Sequence, residues 1–254
     1  LRDSPTRFVV VTQAALHPDL SSVKNTLQAV RDLVESLLPD IDARRTNITW
    51  KPDGSPVTEA DVLVEERVEA LLRERIGDIT FHGEETFRAG VVPDSGWVAV
   101  LDPIDGTENF CSGLKIWGLS LSIWRDKEHV GSMLMLPELG ETIMTGEPVT
   151  HFRSRITGFS SSISEELVLD LADAGEARIS GCAVYNLLNV VRGTFRRFVN
   201  PVGAYSWDLL AGVQLALEHG CEVKVDGQDY SGAYLEPGRR YRVDIRHRQN
   251  RHSR

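Results

Sequence analysis

The stretch "GWVAVLDPIDGT" (96–107) constrains the fold more than any other in this chain. An apolar run of strand type ends at Asp102. Pro103 stiffens the turn, Asp105 follows three residues after Asp102, and Gly106 permits close backbone approach. The run is bounded like a strand buried on both faces, so it delivers two carboxylates to the rim of a sheet. Carboxylates about 4 Å apart repel by about 4 kcal/mol at an effective dielectric near 20. Either one is protonated or a cation lies between them, and a hard divalent ion with oxygen ligands, such as Mg²⁺, fits. A second reading fits the same residues: a turn in which each aspartate accepts from its own backbone amides. The amides of Gly106 and Thr107 open the next segment as an anion cradle.

Around this stretch the pattern divides. Val23, Leu27, Val30, Val34 and Leu37 give "VKNTLQAVRDLVESLL" one apolar helical face, with Pro39 expected to end it. A loop, "NITWKPDGSP", follows. Thr58 and Asp61 then form a capping-box pair ahead of a second helix with Val64, Val68, Leu71 and Leu72 on its buried face, closed by Gly77. "DITF", "GWVAVL", "WGLSLSIW", "EHVGSMLML" and "GETIMT" predict a strand meander. Beyond Pro148, strands "ITGFSS", "ARIS" and "TFRRFV" alternate with helices "SEELVLDLAD", "CAVYNLLNVVRG" and "SWDLLAGVQLALEHG", and "RYRVDI" is a last strand. The expected organisation is therefore an N-terminal half, 1–150, and a C-terminal half, 151–254, without a long linker.

Other acidic residues stand at element ends: Glu84 and Glu85 after "HG", Asp61 on a first helical turn, and Asp208 after Trp207. Each alone reads first as a solvated loop residue or a helix N-terminal charge. Together with Asp102 and Asp105 they form a pattern. "KPDGSPVTEAD" (51–61), "GEE" (83–85), "DPIDGTENF" (102–110) and "YSWDLLAG" (205–212), in this order, resemble the lithium-sensitive, Mg²⁺-dependent phosphatase superfamily, most closely its inositol monophosphatase-like branch.

The resemblance implies an α+β, FBPase/IMPase-like fold, a layered α-β-α-β-α sandwich with the site between its halves. It implies that Glu84, Asp102 and the carbonyl of Ile104 hold a first metal, and that Asp102, Asp105 and Asp208 hold a second. Glu84 would also hold a third, looser ion through water, giving two or three Mg²⁺. Thr107, supported by Asp61, resembles the pair that orients or deprotonates the attacking water, with Glu84 beside it. The amides of Gly106 and Thr107 would grip phosphate, Lys51 would lie on a closing loop, and Gly181, Cys182 and Ala183 would line the substrate pocket. The implied activity is hydrolysis of a small phosphate monoester: an inositol-phosphate-like, sugar, histidinol-like or nucleoside phosphate. A homodimer is implied from the family alone.

The chain departs from that family twice. "NPVGAYS" (200–206) lacks the acidic residue that touches polyol hydroxyls in that family; Tyr205 reads as a core tyrosine, with an aromatic face for the substrate as the alternative. "GETIMTGEPVTHFRSRITGFSS" also crosses between the halves quickly. Two other functions stay open: a bisphosphate phosphatase (fructose 1,6-bisphosphate or a 3′-phosphoadenosine nucleotide), for which Arg192, Arg196 and Arg197 are the candidate second-phosphate residues, and a non-enzymatic scaffold.

Charge and cysteines bound the partners. With 28 Lys+Arg against 37 Asp+Glu, the net charge of −9 argues against a nucleic-acid polymer. The Arg-rich end reads as a strand and a solvated tail. No apolar run approaches the roughly 20 residues of a membrane span, and "RFVVVTQAAL" is not read as a secretion signal. Cys111, Cys182 and Cys221, an odd set without a C-x-x-C pair, fit a reduced, cytoplasmic setting. Cys111 is read as a packed thiol, not a nucleophile.

Overall fold

In the computed structural model, residues 18–88, 90 and 95–248 are described. The N-terminal "RFVVVTQAAL" and the last six residues of the Arg-rich end lie outside them. Two helices lead. α1 (Pro18–Ala43) carries Val23, Leu27, Val30, Val34 and Leu37 into the core. It does not stop at Pro39, which lies inside it. The following turn still buries Ile41 to 1% exposure, so packing outweighs the hydrogen bond that proline removes. The loop expected next is a short hairpin of β1 (Ile48–Trp50) and β2 (Pro56–Thr58). Thr58 then caps α2 (Glu59–Ile76), with the Asp61 carboxylate returning to the Thr58 amide at 2.8 Å.

The first sheet has the order β3-β4-β5-β6-β7. β3 (Ile79–Gly83) runs parallel to β4 (Trp97–Asp105), and β5 (Gly118–Arg125), β6 (Glu128–Leu136) and β7 (Glu141–Met144) follow as an antiparallel meander. A five-residue helix, α3 (Thr107–Cys111), links β4 to β5. The alternation in β5 has a packing cause. Leu119, Leu121 and Ile123 join the core under α1 and α2, while Ser120 on the opposite face donates to the Trp207 carbonyl. Gly118 shares that second face, where a Cβ would come within 2.5 Å of Val184.

The second sheet, β12-β11-β13-β10-β8-β9, is built from β8 (Ile156–Phe159), β9 (Glu176–Ile179), β10 (Arg197–Tyr205), β11 (Glu222–Val225), β12 (Gln228–Asp229) and β13 (Arg240–Arg246). Between the sheets lie α5 (Ala183–Val191) and α6 (Ser206–Glu218), whose apolar residues form one continuous core with both. α4 (Glu165–Ala172) covers the outer face through Leu167 against Phe159 and Val199. The layers are therefore α1/α2, sheet, α5/α6, sheet, α4. β10 runs on to Tyr205, six residues past the expected "TFRRFV", and β11 and β12 were not expected. Among the described residues no helix is long and apolar enough to cross a membrane, and Cys111, Cys182 and Cys221 are free thiols.

Candidate active site

An even strand would point residues i and i+3 to opposite faces. β4 avoids this with a bulge: Asp102 pairs with Ser120 and Asp105 with Gly118, so three steps on β4 match two on β5. The two aspartates thereby reach the same side. Glu84 arrives by the parallel ladder, since its amide donates to the Leu101 carbonyl at 3.1 Å, one step beyond the Gly83–Leu101 pair. Asp208 comes from the first turn of α6, where it accepts from the Tyr205 amide at 2.8 Å. The Ser120–Trp207 bond of 2.7 Å fastens that turn to β5, opposite Asp102.

One carboxylate oxygen from each of Glu84, Asp102 and Asp208 lies within 4.8 Å of the others. Asp102 is 1% exposed. Its burial, then the charges of Glu84, Asp208 and Asp105, hold its carboxyl well above the ordinary range. Burial and Glu84, followed by Asp105, do the same to Asp208. Asp102 also accepts from the Ile104 amide at 3.0 Å, so the turn-capping reading of "DPID" holds alongside the clustered one. Asp105 lines the same cleft but stands apart from the tight trio. Its Oδ2 accepts from the Val184 amide at 2.5 Å and the Cys182 thiol at 2.9 Å. Burial outweighs these bonds and pushes its carboxyl to about 6.

Thr107 begins α3 after Gly106, whose φ of 83° is left-handed. A Cβ at Gly106 would stand 3.0 Å from that of Cys182, so both conformation and space favour glycine. The Thr107 hydroxyl is 2.9 Å from the Ile104 carbonyl and 3.3 Å from Asp61 Oδ1. Asp61 spends Oδ2 on the Thr58 amide and hydroxyl, at 2.8 and 2.6 Å, leaving Oδ1 for Thr107. Burial lifts its carboxyl to about 6 against those bonds.

Lys51, at the β1–β2 hairpin, lies 2.8 Å from Glu84 and 2.7 Å from Glu85. Burial works to lower its pKa, but the charges and hydrogen bonds of Glu84 and Glu85 prevail and raise it. Burial and the Glu84 charge push Glu85 to about 7.

The cleft occupies 420 Å³ and is walled by Lys51, Glu84, Asp102, Ile104, Asp105, Gly106, Thr107 and Asp208, with Phe87, Tyr205, Trp207 and Arg240 among its remaining lining. Gly181, Cys182 and Ala183 do not form that wall. Cys182 is buried behind Asp105, where burial and the Asp105 charge raise its thiol, and Gly181 packs on Asn109. Three contributors escaped the sequence reading. Glu65, 1% exposed, accepts from the Glu85 and Thr86 amides at 2.9 Å each and so shapes the turn that carries Glu84. Ser120 and Arg240 are the others. The (i, i+2) small residues of β5 hinted at Ser120; nothing local marked Glu65.

Known proteins resemble this chain in sequence and in fold. The profile described as the inositol monophosphatase family matches residues 19–243. A histidinol-phosphatase of Streptomyces coelicolor is 33% identical over 134 residues, 51% of this chain and 49% of that protein, so the match spans about half its length. An inositol monophosphatase of Dictyostelium discoideum is 25% identical over 228 residues, 78% of this chain and 82% of the other. A crystal structure of an IMPase/NADP phosphatase with Mg²⁺ and phosphate superimposes with a TM-score of 0.76 at 17% identity, covering 90% of this chain and 92% of that one. With its fold and the order of its motifs, the chain belongs to the inositol monophosphatase family.

Proposed function

We propose that this chain hydrolyses a small phosphate monoester with the help of Mg²⁺ held by Glu84, Asp102 and Asp208. The observation that carries the reading is the approach of these three carboxylates within 4.8 Å of one another around a buried Asp102. The donors suit the ion: they are oxygens only, and the neighbouring thiol of Cys182 is engaged with Asp105. Asp105 and the Ile104 carbonyl would complete two sites, with a third looser ion near Glu84.

Bound there, Mg²⁺ would supply Lewis-acid stabilisation of charge on the transferring phosphoryl group. The remaining work belongs to the chain. Phosphoryl transfer passes through a loose transition state, so positioning and neutralisation dominate. Thr107, whose hydroxyl has the Ile104 carbonyl at 2.9 Å and Asp61 Oδ1 at 3.3 Å as acceptors, would present its oxygen to the attacking water when its proton turns to Asp61. Asp61, lifted to about 6, is matched to taking up that proton near neutrality. The amides of Gly106 and Thr107 orient the phosphate, and Lys51 adds positive charge at the mouth. No covalent phospho-enzyme is needed. Cys111, whose thiol points to the Glu108 carbonyl at 3.5 Å, is not a nucleophile here.

The division of labour we propose places most ligands in 1–150, with 151–254 contributing Asp208. The bisphosphate reading loses its original support. Arg192 pairs with Glu141, Arg196 bonds Thr157, and Arg197 is held by Asp244 and Asp170. Lithium sensitivity and a homodimer remain family expectations, checked by inhibition kinetics and sedimentation. Phosphate release from sugar, inositol, amino-alcohol and nucleotide monoesters, with Mg²⁺ and with EDTA, tests the function. Release that requires Mg²⁺ supports it. No release from any ester, together with no thermal response to Mg²⁺, would leave the scaffold reading.

A further inference from the structure

The cleft holds a cation that the proposed reaction does not use. Arg240 opens β13 directly opposite Tyr205 in the strand register, which brings it to the cleft wall beside the first turn of α6. Its guanidinium carbon lies 4.8 Å from the centroid of the Tyr205 ring. Trp207 stacks on the same ring, with centroids 4.7 Å apart and planes at 21°. Arg240 and Trp207 therefore both pack on the Tyr205 ring. The ring thus anchors a guanidinium at the cleft wall.

Arg240 also lacks a carboxylate partner among the described residues, unlike the arginines around it. Arg239 pairs with Asp226 at 3.1 Å and Arg246 with Asp244 at 3.0 Å, while Lys51 across the same cleft is committed to Glu84 and Glu85. The window 200–206 supplies no acidic side chain to neutralise it. A planar fork of donors, pre-placed and unpaired, matches a carboxylate or phosphate.

We propose that Arg240 binds a second anionic group on the alcohol part of the substrate, so that the preferred esters are those of anionic alcohols and not of neutral polyols. This rests on the phosphatase reading. The test measures kcat/KM for two matched pairs: glycerol 3-phosphate against 3-phosphoglycerate, and fructose 1-phosphate against fructose 1,6-bisphosphate. The wild type is expected to favour the anionic member of at least one pair. The pair that responds tells whether the group is a carboxylate or a phosphate. Arg240→Gln should reduce that preference by about tenfold, through KM more than kcat. Arg239→Gln removes the same charge from a neighbouring residue outside the cleft lining and should keep the preference. Release from the neutral esters without preference, or equal losses in both variants, overturns the role of Arg240 while the phosphatase reading stands. Absence of release from all four esters, with Mg²⁺ present, overturns the role of Arg240; the phosphatase reading falls with it only if inositol, amino-alcohol and nucleotide monoesters are left intact as well.

Discussion

Removing the charge of Asp102 should stabilise the metal-free protein and destabilise the metal-loaded one relative to wild type. Two unit charges 4.8 Å apart, the span of the Glu84–Asp102–Asp208 cluster, repel by about 3.5 kcal/mol at an effective dielectric near 20. Partial protonation relieves some of this. Asp102→Asn keeps the oxygen that accepts from the Ile104 amide, so little is lost structurally. The net gain in EDTA at pH 8 should be about 2 kcal/mol, a rise of about 4–8 °C in melting temperature for a chain this size. The sign with pH follows from the raised carboxyls. The folded state holds their protons more tightly than the unfolded chain, so the stability they confer is full at acid pH. It is lost as pH rises through the folded values, about 6 for Asp61 and Asp105 and about 7 for Glu85. The advantage of the variant should therefore shrink at pH 5.5. Excess Mg²⁺ should raise the wild type and leave Asp102→Asn nearly unmoved, reversing their order. Thermal melts of both proteins in EDTA and in Mg²⁺, at the two pH values, decide it. A variant less stable than wild type in EDTA at pH 8 would refute the reasoning and reduce Asp102 to a turn cap.

Three further outcomes are expected. Thr107→Ala should lower kcat by about 100-fold while the Mg²⁺ concentration for half-maximal rate changes little, read from metal titrations of activity. Glu65→Gln loses one of two acceptors for the Glu85 and Thr86 amides, and should cost about 1–3 kcal/mol in denaturant unfolding and raise the Mg²⁺ requirement. His129, whose Nε2 lies 2.7 Å from Ser132, is lowered to about 4 by burial. Its contribution is full above about 6.5 and lost as pH falls toward 4, amounting to about 3 kcal/mol, so His129→Gln should flatten the acid limb of the stability profile.

The parts of the site legible in the sequence are those with a local signature. Thr58 and Asp61 announced a cap, and the cap fixes one Asp61 oxygen while leaving the other for Thr107. "DPIDGT" announced a strand end, although its bulge could not be read without the β5 register. What escaped depends on distant pairing. Glu65 is an ordinary mid-helix glutamate until β3 ends beside it. Arg240 opens the expected strand "RYRVDI", but nothing in that stretch says that the strand pairs with Tyr205. Pro39 misled for the converse reason, because burial of Ile41 carries the helix past it. Arg192 and Arg197 are candidate second-phosphate residues in the sequence, yet the fold gives them carboxylates.

Diffraction from crystals soaked in Mn²⁺, collected at the manganese edge, addresses the shared carboxylate centre most directly. The account predicts an anomalous peak bonded to Asp102 with Glu84 or Asp208 as a second ligand, lost in Asp102→Asn. A wild-type map with no peak between these side chains would contradict it.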